Sequence, residues 1–510
     1  MPPAALPRVN RETTQTSLRI LLLLRRSVRR DGLLAQARLP LPMLTREIEQ
    51  GPAGPEIGAF FDLDRTLVAG FSAVEFVRDA VLSGRMSPQD LLATLLSAAR
   101  FQLGQVGFSG FVTGTTGVLA GLAESEFEEI GERIFRDRIA TEIYPESRAL
   151  VQAHRRKGHT VAIVSSATRY QIAPIARELE IAHVLCTGLE VRNGYLTGAV
   201  EHPTCYAEGK AFAARRFAAE HGVDLERSYF YTDSHEDLPL LRIVGRPRPT
   251  NPDRRLASIA ARRGWPVRAF SSRGTPGTLD VLRTSLAVAS LVPSFLLGIP
   301  AAALNRNWRL AVNISAATWG EIGTALAGID VKVTGEEHLW SHRPAVFIFN
   351  HQSGIDVLLL CKLLRRDFTG IAKQEVRMNP IFGPAFALAG TVFIDRFHPE
   401  KAIRALAPAV DALRGGLSIA IAPEGTRSPT PRPGRFKKGA FHLAMSAKVP
   451  IVPIVFLNAL DALPKHAVVV RPATIEAVVH PPIETTGWTA GDLDREIARV
   501  ERLYADTLDL

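Results

Sequence analysis

The chain has 510 residues, a formal charge of +10 and an isoelectric point near 9.8, too long for one hydrophobic core, so two or three domains are expected. Its 46% hydrophobic and 22% charged content is that of folded protein and excludes a disordered, low-complexity chain. The positive charge calls for an anionic partner, a lipid surface or phosphorylated substrates, whereas 7% aromatics and no basic run interleaved with stacking rings argue against nucleic acid.

Residues 1–55 form a basic arm with Arg8, Arg11, Arg19, Arg25, Arg26, Arg29, Arg30, Arg38 and Arg46. Its apolar run 20–24 is too short for a signal-peptide core; the arm reads as a disordered tail or as a short amphipathic helix on anionic lipid. Gly51-Pro52-Ala53-Gly54-Pro55 punctuates the chain, and a domain is expected over 56–270. Residues 57–63 read as a buried strand delivering Asp62-Leu63-Asp64-Arg65-Thr66. Acids two apart at a strand end point the same way and repel unless a cation lies between them. Residues 71–140 are mostly helix-like. A second strand, 159–164, ends in Ser165-Ser166-Ala167-Thr168; Gly209-Lys210 opens a helix; a third strand, 229–232, ends in Asp233-Ser234-His235-Glu236-Asp237. Strands alternating with helices predict an α/β, Rossmann-like parallel sheet, whose functional residues lie beyond the strand C-termini. Cys186, Cys205 and Cys361 are scattered and odd in number, so neither disulfides nor metal knuckles are expected, and a reducing cytoplasm is the default.

These four blocks, in this order, resemble haloacid dehalogenase-type phosphatases of the branch that includes phosphoserine phosphatase. The resemblance implies Asp62 as nucleophile, Asp64 as general acid, Ser165 and Lys210 as holders of the phosphoryl oxygens, and Mg²⁺ on Asp62, Asp64, Asp233 and Asp237. It makes 71–140 a helical cap over the site. The residue types suit that chemistry: a hard cation bridges carboxylates and phosphate, and a carboxylate nucleophile divides one hard displacement into two. The phosphoserine enzymes have a glycine pair after the second-block serine; here it is Ser166-Ala167, so phosphoserine is not implied as substrate.

Residues 271–330 form an apolar seam. After the linker 271–277, no charged residue occurs from 284 to 304, close to a membrane span in length. Pro293 and Pro300 interrupt it, and Arg306 and Arg309 follow. A single span would separate the flanking domains, and a hairpin would carry both arginines across against the usual charge bias. Two helices lying in the interface fit best, with a soluble helical pair as the plain alternative. The expectation is a membrane-associated protein with both catalytic domains on the cytoplasmic side.

In 331–510, an apolar run ending at Phe349 delivers Asn350-His351-Gln352-Ser353-Gly354-Ile355-Asp356. Histidine takes a proton near neutral pH, and a carboxylate can hold its tautomer and stabilise its cation. On one helix, residues five apart diverge by about 140°, so His351 belongs in a loop and Asp356 in the next helix's first turn. Alone, the pair also reads as a loop histidine beside a capping aspartate. Downstream come Gly390-Thr391-Val392-Phe393-Ile394-Asp395-Arg396, then Pro423-Glu424-Gly425-Thr426-Arg427-Ser428, then Val449-Pro450-Ile451-Val452-Pro453-Ile454-Val455.

Jointly, over roughly 345–480, these blocks resemble the 1-acylglycerol-3-phosphate acyltransferase family. The resemblance implies an α/β glycerolipid acyltransferase domain with His351 as general base and Asp356 as its partner. It implies Arg396, Glu424, Gly425, Thr426 and Arg427 at the acceptor, lysophosphatidate as that acceptor, and acyl-CoA or acyl carrier protein as donor. An alcohol attacking a thioester needs its proton removed as the bond forms, and arginine offers a fork matched to phosphate. The expected function is phosphatidate synthesis with a fused Mg²⁺-dependent phosphomonoesterase. The alternative is transfer to another glycerophosphate or lysophospholipid, with a silent phosphatase fold as a membrane or regulatory module.

Overall fold

In the computed structural model, which describes residues 41–102, 116–394 and 406–509, the apolar runs of the first half become a five-stranded parallel sheet. Its strands are β1 (Ile57–Phe61), β2 (Thr160–Thr168), β3 (His183–Thr187), β6 (Asp224–Thr232) and β7 (Arg246–Pro249), in the order β3-β2-β1-β6-β7. The hairpin β4 (Leu189–Arg192) and β5 (Tyr195–Val200) stands apart. β1 is buried along its whole length, as a central parallel strand covered on both faces must be. Ile57, Ala59 and Phe61 enter one core with helices Pro145–Arg156 and Arg169–Glu178; Phe60 enters the other with Glu208–His221.

The first domain begins earlier than the glycines and prolines at 51–55 suggest. Helix Leu41–Gln50 buries Leu44 and Ile48 in the same core as β1. Its Glu47 meets the Arg248 and Arg268 guanidiniums, at 3.2 and 3.1 Å. The rest of the basic arm, 1–40, lies outside the described residues. Between β1 and β2 the chain forms helices Ser72–Leu82, Pro88–Gln102 and Glu124–Ile134, the last running into a π-helical turn, Phe135–Ile139.

The seam becomes helices Thr278–Ala289, Leu291–Asn305 and Trp308–Ala327. Thr278–Asn305 is an apolar path of 28 residues, long enough to cross a membrane and only 28% buried over its most apolar window. The third helix docks on the second domain through small residues. A Cβ on Gly320 would sit 2.4 Å from the Lys362 nitrogen, and one on Gly298 2.5 Å from the Ala311 oxygen, so both crossings require glycine. Glu321 then pairs with Lys362 at 2.7 Å and Arg365 at 2.9 Å.

The second sheet is built from β8 (Ile329–Thr334), β9 (Val346–Phe349), β10 (Phe368–Lys373), β11 (Val392–Ile394), β12 (Ser418–Ile421), β13 (Ile451–Phe456) and β14 (Ala473–Val479). The order is β11-β10-β12-β9-β13-β14-β8, parallel except where β13 meets β14. β9 is central, so the chain leaving Phe349 emerges mid-sheet.

A buried polar chain underlies β1. Tyr231 OH meets His154 Nε2 at 3.0 Å, His154 Nδ1 meets His159 Nδ1 at 2.8 Å, and His159 Nε2 meets the Pro52 carbonyl at 2.9 Å. A carbonyl only accepts, so His159 donates from Nε2 and, when neutral, accepts at Nδ1 from His154, which accepts from Tyr231. Burial holds His154 well below its ordinary pKa, and His159 repels the same charge. The unfolded chain therefore binds the extra proton below pH 6.5 and the folded one does not. Stability should fall by about 1 kcal/mol for this group between pH ~6.5 and ~5.5. Urea denaturation of His154→Gln should show a correspondingly shallower acid slope than wild type.

Candidate active sites

The first site forms where neighbouring strands β1 and β6 end. Asp62 follows one and Asp233 the other, so the parallel pairing sets them side by side. The Asp62 amide donates to Tyr231 O at 2.9 Å. Lys210, in the first turn of Glu208–His221, donates from Nζ to Asp62 Oδ1 and Asp237 Oδ2, both at 2.8 Å. Thr232 Oγ1 donates to that same Asp237 oxygen at 2.5 Å. Arg65 Nη1 pairs with Asp233 Oδ2 at 2.9 Å, and the Ser72 amide donates to Asp64 Oδ1 at 2.7 Å. Ser165 is buried in the C-terminal half of β2, its Oγ accepting from the Ala167 amide at 3.2 Å.

Sequence reasoning missed Arg65 and Asn251. Both take left-handed backbone, φ 60° and 48°, and the Asn251 side chain donates from Nδ2 to Arg65 O at 3.0 Å. The Asn251 contact spans 186 residues of chain, and no local pattern signals it.

Burial dominates the electrostatics. It pushes the Asp62 carboxyl up to about 7, with Lys210 opposing and Asp237 adding. It also raises Asp64, and raises Asp233 well above the usual range against the pull of Arg65. Burial alone would lower the Lys210 ammonium, but Asp237 and Asp62 outweigh it and hold the charge. Four carboxylates thus face two cations, Lys210 and Arg65, a deficit that one divalent, oxygen-seeking ion would fill. Among the described residues, no group of three His, Cys, Asp or Glu side chains is arranged around one metal position. Asp237 Oδ2 is taken by Lys210 and Thr232, and Asp64 Oδ1 by Ser72, leaving Asp62 and Asp233 as the facing pair.

The second site opens at the end of β9. Asn350 clamps the strand to β13, donating to Phe456 O and accepting from Phe456 N, both at 2.8 Å. The next residue turns outward: His351 lies in the loop, and Asp356 is the first residue of helix Asp356–Leu364, as the spacing requires. His351 Nδ1 meets Asp356 Oδ2 at 2.7 Å, and the Gln352 and Ser353 amides donate to the same oxygen at 3.0 Å each. Asp356 is fully buried, while the His351 side chain is 27% exposed. The carboxylate fixes the proton on Nδ1 and leaves Nε2 as the free base.

Glu424 braces the His351 loop, taking the His351 amide on Oε1 at 2.7 Å and the Gly434 amide on Oε2 at 2.6 Å. Burial lifts its carboxyl to about 7, the two amides oppose, and Asp356 adds. The loop is closed by the Ser428 amide on His351 O at 2.7 Å. Gly425 has φ 77°, and a Cβ there would meet Lys437 Nζ at 3.0 Å, so the turn needs glycine. Thr426 is exposed. Arg427 Nη1 lies 3.6 Å from where a Cβ on Gly354 would be, over the His351 loop. Arg396 lies outside the described residues.

Residues 59–242 match the family described as haloacid dehalogenase-like hydrolase, and 330–457 the family described as acyltransferase. Over 253 residues the chain is 36% identical to a phosphoserine phosphatase, SerB1, of Mycobacterium tuberculosis, covering 48% of this chain and 82% of that one. Over 184 residues it is 35% identical to a 1-acyl-sn-glycerol-3-phosphate acyltransferase of Cocos nucifera, covering 36% of this chain and 59% of that protein. Among solved structures, the 1-acyl-sn-glycerophosphate acyltransferase of Thermotoga maritima is 24% identical with a TM-score of 0.40, over 45% of this chain and 95% of that one.

Removing the Asp356 carboxylate strands two loop amides as well as the imidazole. Asp356→Ala should destabilise the fold by about 2–4 kcal/mol in urea denaturation, whereas Thr426→Ala, at an exposed position, should change it by under about 0.5 kcal/mol.

Proposed function

The chain belongs to the haloacid dehalogenase-like hydrolases, carries an acyltransferase domain behind that one, and is an enzyme; on this premise we propose that it acylates lysophosphatidate to phosphatidate and also hydrolyses a phosphomonoester. The observation that carries the first activity is the His351–Asp356 pair at 2.7 Å with Nε2 turned outward. In this reading the acceptor hydroxyl gives its proton to Nε2 as its oxygen attacks the carbonyl carbon of acyl-CoA or acyl carrier protein. The developing imidazolium is stabilised by Asp356, and the proton leaves on the departing thiol. No nucleophilic serine or cysteine is needed, because the thioester is already activated. Arg427, with the Gly425 turn, holds the acceptor's phosphate.

In the first domain, Asp62 attacks phosphorus as Asp64 protonates the leaving oxygen, a water that gives its proton to Asp64 then displaces Asp62 and releases phosphate, and Lys210 and Ser165 hold the phosphoryl oxygens throughout. Asp62 and Asp233 would hold Mg²⁺, which when bound supplies positive charge beside the transferring group. Phosphatidate carries the kind of ester this chemistry attacks, so the substrate we propose is a lipid phosphomonoester.

The seam supplies the surface on which both lipids are met. Leu296, Leu297 and Leu304 are exposed along Leu291–Asn305, and Met378, Ile381 and Leu388 continue the patch. Trp308 Nε1 joins the two parts by donating to Leu388 O at 3.3 Å. A helix pair lying in the interface, with both domains on the cytoplasmic face, is the arrangement that this patch and the arginines beside it support.

Wild-type protein given acyl-CoA and lysophosphatidate should release CoA, and His351→Ala should lose at least about a hundredfold in kcat; equal release by both refutes the acyl-transfer reading. Phosphate release from phosphatidate, lysophosphatidate and phosphoserine should need Mg²⁺ and vanish in Asp62→Asn. Release from phosphoserine alone rules out the lipid substrate, and no release from any ester favours a silent fold.

A further inference from the structure

The turn that follows Glu424 is fastened to the His351 loop at both ends. Glu424 takes the His351 amide on Oε1 at 2.7 Å, and the Ser428 amide donates to His351 O at 2.7 Å. Gly425, Thr426 and Arg427 therefore form a short span between two contacts to that one residue, and Arg427 Nη1 lies 3.6 Å from where a Cβ on Gly354 would be. A second cation is delivered to this span by the segment downstream. Phe436 anchors that segment: its ring is buried against Tyr504, centroids 5.0 Å apart, and its amide donates to Glu501 Oε1 at 2.7 Å. The next residue, Lys437, is tied to the turn itself, its amide donating to the Pro423 carbonyl at 2.9 Å. Its side chain then lies along Gly425: a Cβ there would stand 3.4 Å from Cδ, 3.3 Å from Cε and 3.0 Å from Nζ.

Packing over the glycine accounts for the stem of Lys437, but not for where its charge ends. Glu424, the one acid in the turn, has both carboxylate oxygens engaged by amides. Among the described residues, Lys437 and Arg427 pair with no carboxylate, although the neighbouring Lys438 finds Asp494 at 2.8 Å. An ammonium and a guanidinium brought to one turn without a counter-charge repel each other, and a dianion held by both converts that repulsion into binding. The chemistry of the acceptor asks for this placement. In a 1-acylglycerol 3-phosphate the free hydroxyl and the phosphate ester sit on neighbouring carbons. Cations that hold the phosphate must therefore stand beside the base that takes the hydroxyl proton, and the 425–427 span is fastened to that base.

We infer that Lys437 is a specificity-determining residue of the acceptor site, its ammonium holding, together with Arg427, the phosphomonoester of the lipid acceptor. The inference rests on the acyl-transfer reading above and adds to it a residue that favours a phosphorylated acceptor over a neutral one. It also gives the two adjacent lysines separate duties: Lys438 secures the outer face of the segment to Asp494, and Lys437 turns inward to the substrate.

The test uses the full chain. At saturating acyl-CoA, Lys437→Ala should raise KM for lysophosphatidate about tenfold, the loss of one charged contact, with kcat and the KM for acyl-CoA unchanged. Lys437→Arg should recover most of the loss, and Lys438→Ala should leave KM as it is. Lys437 is exposed, so its removal should leave the urea midpoint in place. Inorganic phosphate should compete with the acceptor, and about tenfold more weakly in Lys437→Ala. An unchanged KM in Lys437→Ala, or an equal rise in Lys438→Ala, overturns the assignment. A rise in the KM for acyl-CoA alone gives the charge to the donor's phosphates and overturns it too. Weaker phosphate competition with unchanged KM marks a free-phosphate site and overturns the lipid assignment. Should wild type transfer no acyl chain, the acyl-transfer reading fails by itself. Calorimetric titration with a short-chain lysophosphatidate in EDTA, which keeps Mg²⁺ from the Asp62 site, then judges the subsite. Binding about tenfold weaker in Lys437→Ala upholds it, and equal binding overturns it.

Discussion

A carboxylate removed from water must be met by donors, and each half of this molecule is arranged around one that is. In the second domain a single oxygen of Asp356 gathers the His351 imidazole and the amides of Gln352 and Ser353. That convergence bends the chain from β9 into its helix and aims the imidazole outward. Glu424 repeats the device one layer out, holding the same loop by the His351 and Gly434 amides. In the first domain Lys210 bridges Asp62 and Asp237, and Arg65 answers Asp233. Breaking either arrangement would leave buried charge uncompensated, which costs far more than a surface ion pair contributes.

The two arrangements differ in what remains unsatisfied. At the His351 site one Asp356 oxygen gathers three partners, while Oδ1 is buried without one among the described residues, and the half-buried imidazole has no partner on Nε2. At the Asp62 site burial lifts the carboxyls against the pull of Lys210 and Arg65, and acids outnumber cations, so the site attracts positive charge. On the proposed reading, one site takes a proton and the other holds a cation and a phosphoryl group. A glycerophospholipid offers both a hydroxyl for the first and a phosphomonoester for the second, which is why a shared lipid is the economical reading of the fusion.

The junction between the domains is more than a linker. Arg273 and Arg471 each donate to main-chain carbonyls across it, and Arg432 pairs with Glu180 beside it. Carbonyls lack net charge and fix direction, so these contacts orient the domains. Leu296, Leu297 and Leu304 of Leu291–Asn305 are exposed beside this polar junction, and on the proposed reading they face lipid.

The sequence by itself determined the local chemistry. Acids at strand ends, a histidine five residues before an aspartate, and Gly425 in a turn were all legible, because strand periodicity, helix geometry and left-handed backbone are short-range constraints. The Asn193-Gly194 turn of the β4–β5 hairpin was legible too and went unread. Tertiary structure alone decided the rest. It assigned Glu424 to bracing and Asp237 to holding Lys210, brought Asn251 to Arg65, and extended the first core back to Leu44. Each of these depends on which buried polar or apolar group finds which partner, the polar meetings spanning 27, 73 and 186 residues, and no period or spacing in the chain encodes them.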